Sequence, residues 1–443
     1  MKVLLVSLDT VRADHLSCYG YGRPTSPNID AVAAEGARFA RAFPSDIPTQ
    51  PSHTALFTGQ IGLRTGIVSH FWPPAQLAPT VPWLPQILER EGVTTGAIDN
   101  LVNMKEWFVR GYEQYLKPRG RTRALGTTVN QLALPWLEAH AAEDFFCFVH
   151  YWDAHIPYLP PSPQRERFTA GLPARPPDEV RRLLEQSPAY PLFKQRHYDL
   201  LGEIPSLDHI AGLYDAEIAT VDERVGELVR HLQRLGIYDD TMVILLGDHG
   251  ENMAEHDAWW DHATLYDSVV HVPLIVRFPP RVAPRVVDPT VILCDVMPTV
   301  LELADVDARA PLHGRSLWPL LRGGADWEAR RELVLSECTW EAKRAIRTDE
   351  WKYIHCYDPG VYGRPEPELY DLRVDPAERR NVAGQHPEVA ADLRARLLNR
   401  VETELDGRQD PIDEVVRSEL PAVTWLRQVV AEIEVARPDP ATP

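Results

Sequence analysis

The sequence predicts an α/β fold, a sandwich built on a large, mostly parallel mixed sheet with a small α+β subdomain at its C-terminal end. Three observations predict it. Apolar runs at Val3–Leu8, Phe145–Tyr151 and Thr241–Leu246 have the character of central strands buried on both faces. Each run is followed at once by polar residues able to do chemistry: Asp9, then Trp152-Asp153-Ala154-His155, then Gly247-Asp248-His249-Gly250. An open α/β sheet places such residues at the carboxyl ends of its strands, where the crevice lies. Finally, stretches of helical periodicity alternate with the runs.

Taken in order, Met1-Lys2 leads into the first strand. That apolar run is too short to span a membrane and lacks a small-residue cleavage site, so a buried strand fits better than a signal peptide. Ser26-Pro27-Asn28 opens a helix over Ile29–Gly36, with Ile29, Val32 and Ala33 on one face and Gly36 as its stop. Leu213–Leu235 places Ile218, Val221, Val225, Leu228, Val229 and Leu232 at helical spacing before Gly236. Val272–Phe278 fits a further strand and Asp295–Ala304 a short helix. The polar, Pro-punctuated region Arg165–His209 is weakly periodic, and an insertion or substrate lid is expected there, over about residues 160–210. From Glu332 the pattern turns to short strands (Val334–Glu337, Ala345–Arg347, Tyr353–Cys356) and then a helix after Asn381. The expected organisation is a catalytic domain over 1–330, a small subdomain over 331–405 and a tail over 406–443. The tail has one amphipathic segment, Val423–Ile433, and a Pro-rich end, Pro438–Pro443. Packing of that segment on a neighbouring subunit would make a homo-oligomer.

Composition narrows the function. With 46 Lys plus Arg against 64 Asp plus Glu the net charge is −18, which argues against non-specific binding to nucleic acid or to an anionic membrane surface. An anionic substrate remains compatible, because a bound metal and a few cations can dominate the local potential. Cys18, Cys147, Cys294, Cys338 and Cys356 are odd in number and widely spaced, with no C-x-x-C pair. Reduced thiols in a cytoplasmic enzyme are the simplest expectation.

The reactive residues fall into three groups. Asp248 and His249, at a strand end with Gly250 permitting a sharp turn, can present two metal ligands side by side, with Asp9 as a third. Two carboxylates and an imidazole suit zinc or manganese, whereas calcium prefers oxygen throughout. The bland alternative is a capping Asp beside a partly buried His. Next, Pro51 suits the first turn of a helix and Gly59 its end, which puts Thr49 at the helix N-terminus, where an anion is favoured. A hydroxyl there, touching a divalent cation, can attack phosphorus or sulfur; a simple N-cap is the competing assignment. Last, Asp153 and His155 follow a strand and His262 follows Trp259-Trp260-Asp261. These three could form a second metal site, or His155 or His262 could protonate a leaving group. His256 and His271 are weaker candidates, and a lone His is more often structural.

Together these segments resemble the sulfatase family of the alkaline phosphatase superfamily. The resemblance rests on an ordered series: Leu5–Asp14, Tyr19-Gly20-Tyr21, Thr25–Asp30 and Glu35–Phe39 for the N-terminal signature, then Thr49–Gly59 in the place of the nucleophile motif. His150–Pro160 resembles the loop supplying a substrate-binding His, and Asp248–Glu251, Leu265–Asp267 and Val272–Ile275 the second metal-ligand strand and its continuation. Asp295–Leu301, His313–Leu317, Glu368–Leu372 and Asp375-Pro376 resemble its C-terminal portion. The resemblance implies an alkaline phosphatase-like sandwich. The departures bear on chemistry. Where sulfatases carry C-x-P-x-R or S-x-P-x-R, whose first residue becomes formylglycine, this chain has T-Q-P-S-H, with Thr49 not expected to be converted and His53 replacing the Arg. Thr10 stands where many sulfatases have a second acid, and Asn100 or Asn103 would contact a substrate oxygen in place of the family's Lys and His.

The resulting expectation resembles the Thr-nucleophile branches, phosphodiesterases and phosphonate monoester hydrolases. It is metal-dependent hydrolysis of phosphate diesters or phosphonate monoesters through a covalent Thr49 intermediate. Asp9, Thr49, Asp248 and His249 would hold a divalent metal, zinc or manganese before calcium. His155 and His262 would serve catalysis, and His53, His155, Asn100 and Asn103 substrate binding. Asp153, His155 and His262 would bind a second metal if the count is two rather than one. The rivals are a sulfate ester hydrolase using an unmodified Thr, and a non-catalytic binding protein on the same fold.

Overall fold

Strand β1, Lys2–Leu8, lies inside an eight-stranded sheet and is apolar because both of its faces are covered. The computed structural model describes every residue except 71–75, 120–124, 195–197, 202–203, 325–326, 365 and 436–443; the Pro-rich end Pro438–Pro443 therefore lies outside the described residues. The remaining strands are β2 (Ala37–Phe39), β3 (Ala42–Phe43), β4 (Asp46–Ile47), β5 (Thr94–Ile98), β6 (Gln114–Leu116), β7 (Phe145–Tyr151), β8 (Thr241–Gly247), β9 (Leu274–Arg277), β10 (Arg285–Val287), β11 (Val291–Ile292), β12 (Leu333–Glu337), β13 (Ala342–Arg347), β14 (Trp351–Asp358) and β15 (Glu368–Asp371). The large sheet runs β10-β2-β9-β8-β1-β7-β5-β6. Only the pairings of β9, with β2 and with β8, are antiparallel.

The pleat splits β1 between two cores. Leu4, Val6 and Leu8 join one cluster with the helices Gly126–Ala139 and Leu207–Arg234. Val3 and Leu5 join the opposite cluster with the helices Leu84–Arg90 and Val296–Ala304. The long helix begins six residues before the Leu213 that periodicity suggests, capped by Ser206, whose hydroxyl accepts the His209 N–H at 3.1 Å.

Register matters most for the site. Leu8 is opposite both Tyr151 and Gly247, so Asp9, Trp152 and Asp248 leave the sheet at one level.

The C-terminal sheet, β15-β14-β13-β12-β4, borrows its last strand from the catalytic part of the chain. Ser336 and Glu337 pair in parallel with Asp46 and Ile47, two residues before Thr49. The small subdomain thus helps fix the segment that carries Thr49. The helix Pro387–Leu405 covers this sheet with Leu393 and Leu397 against Ile346 and Tyr353.

The region expected to be an insertion contains short helices at Ser162–Thr169, Pro177–Glu185, Tyr190–Phe193 and Asp199–Leu201. It rests on the loop after β8, with the Tyr198 hydroxyl donating to the Trp259 carbonyl at 3.3 Å. The described part of the tail packs on its own chain. Arg344 holds Asp410 through two hydrogen bonds, the Ala422 N–H donates to the Thr339 carbonyl at 3.1 Å, and Trp425 meets Trp340 edge-on. No helix among the described residues is long and apolar enough to cross a membrane.

Candidate active site and metal centre

Four side chains converge where β1, β8 and the helix Thr49–Thr58 meet. Asp9 follows β1, Asp248 and His249 follow β8, and Thr49 is the first residue of the helix. Thr10, with φ of 58°, turns the chain so that its N–H donates to Asp248 Oδ1 at 3.2 Å. Ser52 ties the helix to β8 by donating to the Asp248 carbonyl at 2.8 Å. The Thr49 hydroxyl donates to His249 Nε2 at 3.1 Å. His249 Nδ1–H in turn donates to the Gly250 carbonyl at 3.0 Å, which leaves the lone pair on Nε2 facing the site.

All four residues are buried, and two carboxylate oxygens, Asp9 Oδ1 and Asp248 Oδ2, have no hydrogen-bond partner. Bare anionic oxygens in a dry interior are costly, and a divalent cation is the ordinary remedy. The ligand atoms of Asp9, Asp248 and His249 all lie within 4.8 Å of one another. Burial, and next to it the charge of Asp248, pushes the Asp9 carboxyl up to about 6. Asp248 is lowered because the neighbouring histidines His249, His53 and His150 outweigh its burial. The donor set fits a metal ion.

A second triad, His53, His150 and Asp248, is equally close, but its nitrogens are already committed. His53 Nδ1–H donates to the Thr49 carbonyl and Nε2 accepts from Ser7, both at 2.9 Å. His53, expected to bind substrate, is therefore fully buried beneath Thr49, since residue i+4 of this helix faces inward. Burial and the nearby His150 depress it to about 4, so it is neutral. His150 lies between Asp9 Oδ2 at 3.2 Å and Asp99 Oδ1 at 3.1 Å. Burial opposes its charge, but the two carboxylates win and push it up to about 10. Sequence reading missed His150 and Asp99, because a His inside an apolar run reads as core.

His262 stands beside the centre, its ring 4.6 Å from that of His249. Its Nδ1 is 3.3 Å from Glu251 Oε1, and the Tyr158 hydroxyl donates to Glu251 Oε2 at 3.2 Å. A buried carboxylate behind an imidazole fixes the ring's tautomer and direction. His155 meets His262 edge-on at 5.1 Å, and its Nδ1–H donates to the Ile156 carbonyl at 2.8 Å. His70 also reaches this cluster: its N–H donates to Thr339 Oγ1 at 3.0 Å. Burial, then the neighbouring His262 and His249, keep it well below the usual histidine range.

Asp153 is not brought to the histidines. The chain turns after Tyr151, and Asp153 Oδ1 accepts the Gly126 N–H at 3.0 Å at the start of the helix Gly126–Ala139. The set Asp153, His155 and His262 is accordingly not among the close ligand groups found in the described residues. Asn100 is 2% exposed and neither amide atom has a hydrogen-bond partner, whereas Asn103 is exposed. His256 stacks on Tyr266 and His271 donates to the Ala40 carbonyl at 2.8 Å, both structural roles.

The profile described as Sulfatase matches residues 2–306, more than half of the chain. The chain belongs to the sulfatase family. A second profile, N-sulphoglucosamine sulphohydrolase, C-terminal, matches residues 254–404, so the small sheet is part of the family architecture as well. Among curated relatives, Arylsulfatase K of Gallus gallus is 28% identical over 439 residues, covering 88% of this chain and 81% of its own. N-acetylglucosamine-6-O-sulfatase of Bacteroides thetaiotaomicron is 24% identical, covering 87% and 83%. Two solved structures share the fold. Phosphonate monoester hydrolase of Agrobacterium radiobacter has a TM-score of 0.73 at 23% identity, covering 91% of this chain and 96% of that one. A protein solved with its substrate D-glucosamine-2-N,6-O-disulfate has a TM-score of 0.75 at 20% identity, covering 93% and 99%. As a sulfatase-family member the chain is a metal-dependent hydrolase of ester bonds.

Proposed function

We propose that this sulfatase-family hydrolase cleaves phosphate diesters or phosphonate monoesters, with Thr49 Oγ1 as nucleophile. The observation that carries the reading is a plain threonine hydroxyl at a helix N-terminus, 3.1 Å from His249 Nε2 and flanked by the bare oxygens of Asp9 and Asp248. A divalent cation held by Asp9, Asp248 and His249, with Thr49 completing the set, would favour the Thr49 alkoxide and offset charge on the ester oxygens. Zinc or manganese suits these donors better than calcium.

The chain's own groups supply the rest. The Thr49 hydroxyl releases its proton to solvent, Oγ1 attacks phosphorus, the Oγ1–P bond forms and the bond to the leaving oxygen breaks. The helix N-terminus at Thr49 favours the negative charge that gathers on the non-bridging oxygens. His262, oriented by Glu251, gives its proton to the leaving oxygen, with His155 edge-on beside it as the alternative donor. In the second half water attacks phosphorus, His262 takes up the water proton, and the Oγ1–P bond breaks, Oγ1 taking a proton from solvent to restore the hydroxyl. Asn100, whose buried amide has no hydrogen-bond partner, would bind a substrate oxygen.

A second reading has its own support. The relatives named for sulfate esters, Arylsulfatase K and N-acetylglucosamine-6-O-sulfatase, favour sulfate ester hydrolysis, in which Thr49 would act unmodified. Rates on a bis-aryl phosphate, an aryl phosphonate and an aryl sulfate separate the two. Faster turnover of the phosphorus esters supports the first reading, and sulfate turnover alone replaces it with the second.

A further inference from the structure

Each of the two metal-facing carboxylates has one oxygen tied and one bare. Asp248 Oδ1 accepts the N–H groups of Thr10 at 3.2 Å and His249 at 2.9 Å, leaving Oδ2 without a partner. Asp9 Oδ2 accepts His150 Nε2–H at 3.2 Å, leaving Oδ1. His150 is itself held on its far side, where Nδ1–H donates to Asp99 Oδ1 at 3.1 Å. Asp99 is fixed in turn by the Leu101 N–H on Oδ1 at 2.9 Å and the Tyr115 hydroxyl on Oδ2 at 2.6 Å. Asp9, His150, Asp99 and Tyr115 belong to β1, β7, β5 and β6 or to the residue just after them, four adjacent strands of the sheet. Hydrogen bonds therefore run laterally from the metal centre to the sheet edge, through side chains that are at most 2% exposed at Asp9, Asp99 and His150.

We infer that the line His150–Asp99–Tyr115 is a positioning device that confines Asp9 to a single metal-facing oxygen, and so selects a small divalent cation of the zinc or manganese kind against calcium. The inference rests on the metal site of the proposed function. With both carboxylates half-tied, the protein offers Asp9 Oδ1, Asp248 Oδ2, His249 Nε2 and Thr49 Oγ1. Four such donors suit zinc, whereas calcium takes six to eight oxygens and often both oxygens of a carboxylate. Releasing Asp9 Oδ2 would let the carboxylate swing, weakening the small ion and relieving the bias against the large one.

The test is calorimetric titration of chelator-treated protein with Mn²⁺, Zn²⁺ and Ca²⁺. Wild type is compared with His150→Leu, His150→Gln, Asp99→Asn and Tyr115→Phe, alongside the melting temperature of each metal-free protein. The expected result is preference for Mn²⁺ and Zn²⁺ over Ca²⁺ in the wild type. In His150→Leu the Mn²⁺ affinity falls by about 10–100-fold with a smaller change for Ca²⁺, His150→Gln recovers part of it because an amide can still donate to Asp9, and Asp99→Asn lies between. A lowered melting temperature with an unchanged Mn²⁺/Ca²⁺ ratio would make the line merely structural and overturn the inference. If His150→Leu does not fold, an unchanged ratio in both Asp99→Asn and Tyr115→Phe overturns it equally. A wild type that binds Mn²⁺ normally while the ratios stay fixed sinks this inference alone; a wild type that binds no divalent cation sinks the metal site with it.

Discussion

At the scale of single residues, the proposed function divides the site into groups that hold charge and groups that would move a proton. Glu251 fixes the direction of the His262 imidazole, and the proposed proton donation from that ring has a measurable signature. His262→Ala should lower kcat by about 10²-fold on esters with poor alkyl leaving groups and much less on nitrophenyl esters, whose leaving oxygen needs no proton. A series of aryl esters of graded leaving-group pKa checks it; equal losses across the series would remove His262 from that role. Asp9, Thr49, Asp248 and His249 were legible because each is a polar residue placed where an apolar run or a helix ends. His150, Asp99 and His70 were not, since each acquires meaning only from a partner on another strand or loop. Adjacency of Asp153 to His155 in the chain likewise gives no sign that the turn after Tyr151 brings its Oδ1 to the Gly126 N–H.

At the scale of elements, the loop after β8 is held against its neighbours with no space to spare. A Cβ on Gly250 would lie 2.2 Å from the Ser268 carbonyl oxygen and 3.0 Å from Arg12 Cγ. Gly250→Ala should therefore displace His249, costing about 1–3 kcal/mol of stability and weakening metal binding, which thermal melts with and without Mn²⁺ would measure. A melting curve and a metal affinity like those of wild type would show that the loop yields easily. The central strands β1, β7 and β8 were legible within a residue or two because burial on both faces makes them continuously apolar. β5 and the helix Gly126–Ala139 carry weaker patterns, and β4 is two residues long, so its pairing with β12 has no signal in the chain at all.

At the scale of the molecule, the small sheet, residues 160–210 and the tail meet around Glu337 and the loop after it. Its carboxylate accepts N–H bonds from Thr339 at 2.6 Å, Trp340 at 3.1 Å and Glu341 at 2.9 Å. Burial nevertheless pushes it up to about 8. The folded pKa is above the unfolded one, about 4.3, so the stability this group contributes is complete below that value and is lost as pH rises through about 8. Wild type should therefore lose melting temperature relative to Glu337→Gln between pH 5 and pH 8.5; parallel profiles would contradict the assignment. Thr339 and Trp340 of the same loop carry the tail through Ala422 and Trp425, and Trp340 also packs on Phe193 of the insertion. Truncation after Leu420 should accordingly expose the insertion to proteolysis, which limited digestion would detect as faster cleavage within residues 160–210. The overall α/β class and the family resemblance were legible from ordered motifs, whereas the way the tail meets residues 160–210 depends on packing between the helices Tyr190–Phe193 and Pro421–Val435, more than 200 residues apart.

Thr49 as nucleophile calls first for a comparison of wild type and Thr49→Ala in turnover of bis-aryl phosphate and aryl phosphonate, with metal content measured on both. The expected result is metal retained through Asp9, Asp248 and His249, and phosphorus ester turnover abolished in the variant. Full activity in Thr49→Ala would contradict it and leave the fold without the mechanism.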